Sequence, residues 1–201
     1  FHGAVRNGEN EHVAKLLRRK SKTLVAFGSC AHLGGIPGLA NLTSKEEIFA
    51  RVYLRNPSLQ AGNETLPQPR TDVAAGQLEL PAFYRRVYRL QDVVEVDYFV
   101  PGCPPAPAQI KAVLLAVVTG NLPPRGAVVG ASTRAQCDDC PRVKSEKKVR
   151  QFFRPYELKQ DPYRCLLEQG ILCAGPATRA GCGVRCPNTG VGCRGCYGPL
   201  P

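Results

Sequence analysis

Cysteine is the residue type whose number and spacing in this sequence could do chemistry. The 201 residues contain ten cysteines, of which the first 136 residues hold only Cys30 and Cys103. The other eight are Cys137, Cys140, Cys165, Cys173, Cys182, Cys186, Cys193 and Cys196. This clustering indicates a local site within residues 137–201, and not a set of cross-links spread through the chain.

Three chemistries suit such a cluster of cysteines. Eight thiolates make two complete sets of four, the number that a [4Fe-4S] cluster needs. Zinc also uses four-cysteine sets, and secreted chains pair their cysteines as disulfides. The sequence favours iron–sulfur clusters, because the glycines between these cysteines let backbone N–H groups point at cluster sulfur atoms. Zinc and disulfides stay open as alternatives at this point.

The two isolated cysteines follow segments that we predict to be buried strands. Residues 23–27 form a short apolar run that ends in a glycine-rich loop with Cys30, and residues 93–100 end in a proline-rich loop with Cys103. The carboxyl ends of neighbouring parallel strands meet at one edge of a sheet, where ligands commonly bind. We therefore expect Cys30 and Cys103 to converge there. Two cysteines are half a cluster site, so the other two ligands must come from residues before Phe1 or from a partner chain.

The remaining patterns predict the elements that position these loops. Apolar residues at helical spacing predict helices over residues 10–20, 45–53 and 109–119, which alternate with the two strands. Residues 56–77 are polar and predict a surface insertion. This alternation is typical of an α/β domain with a parallel sheet, over residues 1–130. Residues 131–201 are rich in Gly, Pro and Cys and lack a periodic apolar pattern, so we expect metal or covalent links to organise them.

Charge and motifs exclude several function classes. The formal net charge is +11, and residues 142–164 hold eight Lys or Arg against three Asp or Glu. The basic stretch, residues 142–154, is either a solvated face or a dock for an acidic electron-transfer partner. No nucleic-acid module accompanies it, so we expect no nucleic-acid partner. No apolar run is long enough for a membrane span, and no hydrolase motif is present.

Three sequence runs together resemble the small subunit of [NiFe]-hydrogenases. They are VAFGSCA at residues 25–31, DYFVPGCPP at residues 97–105 and CRGCYGP at residues 193–199. The tail is most similar to the cytosolic enzymes: the methyl-viologen-reducing type linked to heterodisulfide reductase, the deazaflavin-reducing type and the sulfhydrogenases. The resemblance covers nearly the whole chain. It implies a flavodoxin-like domain that holds a proximal cluster, followed by a tail domain with a medial and a distal cluster.

The resemblance also implies a role for each cysteine. Cys30 and Cys103 match half of the proximal set, and the family's N-terminal C-x-x-C, its other half, is absent from this sequence. We therefore expect the chain to be truncated at its N-terminus. The tail cysteines match two [4Fe-4S] sites: Cys137, Cys140, Cys165 and Cys173 match the distal set, and Cys182, Cys186, Cys193 and Cys196 match the medial set.

The function that the resemblance implies is electron transfer in the cytoplasm. Electrons would pass from a nickel–iron site in a separate large subunit, through the clusters, to a flavin- or iron–sulfur-containing subunit. Two alternatives stay open. The cluster-bearing subunit of NADH:quinone oxidoreductases shares the Pro-Gly-Cys-Pro-Pro turn but lacks an eight-cysteine tail. A zinc-stabilised binding module would carry no redox centre.

Overall fold

The chain divides into two units, described separately below. The computed structural model describes residues 1–60, 62, 65–146 and 148–201. The first unit is Phe1–Asp97 and the second is Tyr98–Pro201. The domain boundary predicted near residue 130 falls inside the second unit and stays a prediction. The predicted insertion and the basic stretch each include residues outside the described set.

The first unit contains three α-helices and five strands among its described residues. In chain order these are β1 (Val5–Asn7), α1 (Gly8–Lys20), β2 (Val25–Phe27), α2 (Ser29–Leu33), α3 (Lys45–Tyr53), β3 (Arg70–Val73), β4 (Gly76–Glu79) and β5 (Phe83–Tyr88). Short 3₁₀ helices span Pro37–Leu42 and Leu90–Asp92. The helix predicted at residues 45–53 has these bounds in the structure.

Helix α1 begins two residues before its predicted start because Asn7 caps it. The Asn7 side chain accepts a hydrogen bond from Asn10 N at 2.8 Å, which satisfies a backbone donor that the first turn leaves unpaired. Glu9 lies in the first turn and Lys20 in the last, as the helix dipole favours. Ala14 is fully buried, so the helix packs through its apolar side.

Strand pairing in the first unit is both parallel and antiparallel. His2 forms a parallel bridge with Phe27, and Phe27 N donates to Phe1 O at 2.9 Å. β1 pairs antiparallel with β5, and β3 pairs antiparallel with β4. The β3–β4 hairpin is exposed throughout and includes part of the predicted insertion. The parallel bridge at the end of β2 agrees with the predicted parallel sheet.

A buried carboxylate fixes the chain just before the second unit. Asp97 is 1% exposed and accepts hydrogen bonds from Leu24 N and Arg18 Nη1, each at 2.7 Å. Asp97 N in turn donates to Leu24 O at 2.9 Å. One residue therefore ties the end of α1 to the segment that enters β2.

The second unit has one strand and one long helix, followed by a largely irregular tail. Its elements are β6 (Tyr98–Val100), α4 (Pro107–Val118), α5 (Gln136–Asp139) and α6 (Arg185–Asn188), with a 3₁₀ turn at Gly175–Ala177. Phe99 forms a parallel bridge with Val128. The strand predicted over residues 93–100 is shorter, because Val94 N donates to Leu90 O and residues 90–94 form a turn instead.

The predicted fold class is confirmed: a mixed α/β fold with parallel strand pairing precedes a cysteine-rich C-terminal region. The core of the tail is small and includes Leu166, Ile171, Ala180 and Tyr197, all at most 3% exposed. Among the described residues, none of the helices combines the length and the apolar character that crossing a membrane requires.

Candidate functional site

Four thiols of the tail line one cavity. They belong to Cys137, Cys140, Cys165 and Cys173, the residues that the resemblance assigns to one set. Cys137 lies on α5, and Cys140 ends that helix by donating its N–H to Cys137 O at 3.3 Å. The role of these cysteines as ligands stays a prediction, but they share one space in the fold.

A backbone bridge brings the third of these cysteines to α5. Val143 forms a parallel bridge with Arg164, and Cys165 N donates to Val143 O at 2.8 Å. The segment after α5 therefore lies beside the segment that carries Cys165. Sequence spacing contains no signal for this pairing.

Burial and mutual proximity raise the pKa of Cys137 to about 11. Desolvation is the largest cause, and the next is charge repulsion from Cys173; the positive charge of Lys144 acts in the opposite direction. Lys144 Nζ also donates to the carbonyl oxygens of Cys137 at 2.9 Å and Cys140 at 3.3 Å. Because metals bind the thiolate, a metal or cluster at this site must displace protons from these thiols.

The other four tail cysteines lie close enough together for Cys196 to interact electrostatically with the other three. Burial raises the pKa of Cys196 to about 11, with repulsion from Cys182, Cys193 and Cys186 as the next causes. Cys196 accepts a hydrogen bond from the backbone of Cys103, which acts to lower its pKa. These four are the residues of the second predicted set. No pattern in the sequence predicts the Cys103 backbone beside Cys196.

The turn between Cys182 and Cys186 depends on a left-handed valine. Val184 has a φ of 55° and immediately precedes α6, which carries Cys186. This conformation is unfavourable for a β-branched residue and persists only where surrounding packing imposes it. The Val184 side chain is 4% exposed, so the small core of the tail holds it in place.

A hydrogen bond joins the two sets of cysteines. Cys193 N, in the second set, donates to Cys173 Sγ, in the first set, at 3.2 Å. Ala174 N donates back to Cys193 O at 2.9 Å. The two four-thiol groups are thus connected through one hydrogen bond between adjacent backbone segments.

Arg142 is buried between the loops of both sets. Its side chain is 8% exposed; Nε donates to Pro187 O at 2.9 Å, and Nη1 donates to Asp161 O and Arg164 O at 3.0 Å each. Pro187 follows Cys186, and Arg164 precedes Cys165. The prediction that the basic stretch is a solvated face or partner dock is wrong for Arg142, because backbone carbonyls enclose its guanidinium.

Two further residues of the first cavity escaped sequence reasoning. Gln136 lines the cavity and is 1% exposed. A Cβ added at Gly175 would lie 2.7 Å from Gln136 Oε1, 3.0 Å from Cys137 Sγ and 3.5 Å from Cys173 Sγ. Only glycine allows the backbone to approach these groups so closely. A glutamine beside a cysteine and a glycine before a proline carry no distinctive signal in a sequence.

Cys30 and Cys103 lie in different units, and their predicted convergence stays a prediction. Cys30 lies on α2, directly after β2, and is half-buried. A Cβ on Gly35, whose φ is +54°, would lie 2.9 Å from Cys30 Sγ, so the loop folds tightly onto this thiol. Cys103 follows β6 and is exposed. Each cysteine therefore follows a strand, as predicted, but Cys30 lies in a short helix and not in the loop that the sequence predicted.

No disulfide bond joins any of the ten cysteines, all of which lie in the part of the chain that the structure describes. Within that part, no three His, Cys, Asp or Glu side chains are grouped as they would be around a single metal ion. The thiols of Cys137, Cys140, Cys165 and Cys173 line one cavity without converging on one point.

Known proteins that are similar to this chain are subunits of oxidoreductases. The family described as "NADH ubiquinone oxidoreductase, 20 Kd subunit" matches residues 1–117. The iron–sulfur subunit of the F420-non-reducing hydrogenase of Archaeoglobus profundus is 46% identical over 204 residues, covering 99% of this chain and 63% of that protein. A vhu subunit of the F420-non-reducing hydrogenase of Methanocaldococcus jannaschii is 41% identical, covering 98% of this chain and 62% of that protein.

A solved structure gives the same result for part of the chain. It is the crystal structure of NAD+-reducing [NiFe]-hydrogenase in the H2-reduced state, with a TM-score of 0.51 and 32% identity over 59% of this chain and 62% of that one. The chain spans less than two thirds of the length of the two hydrogenase relatives named above. The predicted resemblance to hydrogenase small subunits is confirmed. The chain belongs to the family of the 20 Kd subunit of NADH ubiquinone oxidoreductase, and over nearly its whole length it is similar to hydrogenase iron–sulfur subunits.

Proposed function

We propose that this chain is the electron-transfer small subunit of a cytoplasmic [NiFe]-hydrogenase. It takes electrons from a nickel–iron site on a separate large subunit and delivers them to a flavin- or iron–sulfur-containing partner subunit. The relatives named as hydrogenase subunits support the class of enzyme, and the two four-thiol groups support the means of transfer.

Each four-thiol group holds one [4Fe-4S] cluster in this proposal. Cys137, Cys140, Cys165 and Cys173 hold the distal cluster, and the group that contains Cys196 holds the medial one. The clusters supply reversible one-electron storage when bound. The cavity residues fit such a group: four thiols share one lining, and the amide of Gln136 there has a donor without a partner among the described residues.

The observation that carries the proposal is the hydrogen bond from Cys193 N to Cys173 Sγ at 3.2 Å. It connects a ligand of the medial set to a ligand of the distal set through a single contact. Two structural metal sites could share such a link, and the relatives named as hydrogenase subunits favour redox centres instead. An electron relay needs adjacent centres in a fixed arrangement, and the protein's contribution is to hold them there.

The proximal cluster requires ligands from outside this sequence. Cys30 and Cys103 supply half of that set, and the family's C-x-x-C supplies the other half. The loop at residues 34–38, which folds over Cys30, faces the large subunit in this proposal, because the proximal cluster must lie near the nickel site. The exposed part of the basic stretch faces the redox partner.

The second candidate is the cluster-bearing subunit of an NADH:quinone oxidoreductase. The family match over residues 1–117 supports this candidate as well as it supports a hydrogenase subunit. The match to the hydrogenase relatives continues through the eight-cysteine tail, which this candidate does not need. The zinc-stabilised module has no support from the relatives.

Elemental analysis of the native complex, purified without oxygen, tests the proposal. We expect nickel and acid-labile sulfide, with about twelve irons in three cubane clusters beyond the iron of other subunits. About eight such irons would mean that the proximal set is incomplete in the protein itself. Abundant iron without nickel would indicate the quinone-reductase class, and zinc without sulfide would refute electron transfer.

A further inference from the structure

The amide of Gln136 is a buried donor that no described protein group accepts. Gln136 is 1% exposed, and its Nε2 has no hydrogen-bond partner among the described residues. Its backbone is firmly placed, since Gln136 N donates to Thr178 O at 2.7 Å. Buried amide groups are nearly always paired, so a donor that is left over points to an acceptor outside the described residues.

The surroundings of this amide identify the kind of acceptor. Gln136 lines the cavity of the four distal thiols, whose other lining includes the apolar Leu166, Leu167, Pro176 and Pro187. An added Cβ at Gly175 would lie 2.7 Å from Gln136 Oε1 and 3.0 Å from Cys137 Sγ, so the amide group that carries Nε2 lies in the part of the lining next to this thiol. The charged side chains of the lining, those of Arg142 and Lys144, are donors and cannot accept a hydrogen bond from Nε2. Sulfur is the acceptor that the cavity provides.

Gln109 shows how the same residue type behaves where the chain supplies its partners. Gln109 is 5% exposed, and its Oε1 accepts from Tyr197 Oη at 2.6 Å. Its Nε2 donates to Val129 O at 3.2 Å. The described chain therefore supplies partners for both ends of the Gln109 amide, whereas the donor of Gln136, a residue that lines the thiol cavity, has none among the described residues.

We propose that Gln136 is a positioning residue whose Nε2–H donates to a sulfur of the cluster held by the distal set and raises the potential of that cluster. This inference rests on the proposed function. A hydrogen bond to a cluster sulfur stabilises the reduced form more than the oxidised form, because reduction adds negative charge to the sulfur atoms. Gln136 thereby makes the distal cluster a better electron acceptor.

The test is a redox titration of the intact complex, followed by electron paramagnetic resonance. The variant Gln136→Met keeps the length of the side chain and removes the donor. We expect its distal midpoint potential to fall, with the equilibrium constant for reduction decreasing about tenfold, which is about 59 mV for one electron. The medial signal of the same sample is the internal control, and Gln151→Met, at an exposed position of the tail, is the control variant.

A second variant keeps the test decisive if Gln136→Met loses iron. Gln136→Glu preserves the shape of the side chain and replaces the amide donor by a carboxylate. We expect it to lower the distal midpoint potential by at least as much as Gln136→Met does. An unchanged distal potential in a fully loaded variant would overturn this inference alone. A wild-type complex without a cluster at the distal set would overturn the proposed function, so the two failures are distinguishable.

Discussion

Replacing Arg142 by lysine tests whether one buried guanidinium holds both cluster loops together. The side chain donates to three carbonyl oxygens, of Pro187, Asp161 and Arg164, at 2.9 to 3.0 Å. A hydrogen bond that involves a charged group contributes about 1.5–3 kcal/mol. A lysine ammonium keeps the charge but lacks the planar fork that reaches acceptors on separate segments. If two of the three bonds are lost, the tail is destabilised by about 3 kcal/mol or more.

A change of this size has a measurable consequence for cluster retention. Each 1.4 kcal/mol changes an equilibrium about tenfold, so the population of the opened loops should rise about a hundredfold or more. The assay is the rate of iron loss from the intact complex to a chelator without oxygen, and we expect Arg142→Lys to lose iron from both tail sites faster. The control is Arg150→Lys, in the same basic stretch, whose side chain is 78% exposed. Equal rates in the two variants would refute the bridging role of Arg142.

Two other substitutions test the packing of the site and of the first unit. For Gly175→Ala, the added methyl group would lie within 3.0 Å of Gln136 Oε1 and Cys137 Sγ. We therefore expect the free energy of unfolding to fall by about 1–3 kcal/mol and the distal signal to change. The control is Gly8→Ala, whose methyl group would meet nothing closer than 3.9 Å and should have neither effect. For Asp97→Asn, the buried acceptor loses its charge opposite Arg18, and we expect the free energy of unfolding of the first unit to fall by about 2–4 kcal/mol. The exposed control Asp72→Asn should change it little. Equal melting temperatures of the two variants would contradict the role of Asp97.

Local signals in the sequence predicted the three longest helices and the strands before Cys30 and Cys103, but not the β3–β4 hairpin, β5 or the pairing between distant segments. The periodicity of residues 45–53 predicted α3 because its apolar side and its serine cap are local features. The shortened strand before Cys103 shows the limit of such signals. Residues 93–97 are apolar enough for a strand, yet Val94 N donates to Leu90 O and is therefore part of a turn.

The site shows the same division between local and distant information. Cysteine number and spacing predicted the chemistry, and the resemblance supplied the two sets. The bridge between Val143 and Arg164, which brings Cys165 to α5, depends on segments about twenty residues apart and has no sequence pattern. Arg142 lies in a run of charges that is typical of a solvated face, and only the fold shows that carbonyl groups enclose it. Gln136 likewise becomes informative only once its burial is known.

The central claim is that the eight tail cysteines form two separate cluster sites, and paired variants of the intact complex test it most directly. Cys140→Ala removes one thiol from the distal set, and Cys186→Ala removes one from the medial set. Electron paramagnetic resonance of the reduced complexes should show each variant losing or altering one signal, a different one in each, while the other signal persists. Loss of the same signal in both variants, or an unchanged spectrum in both, would contradict the two-site arrangement.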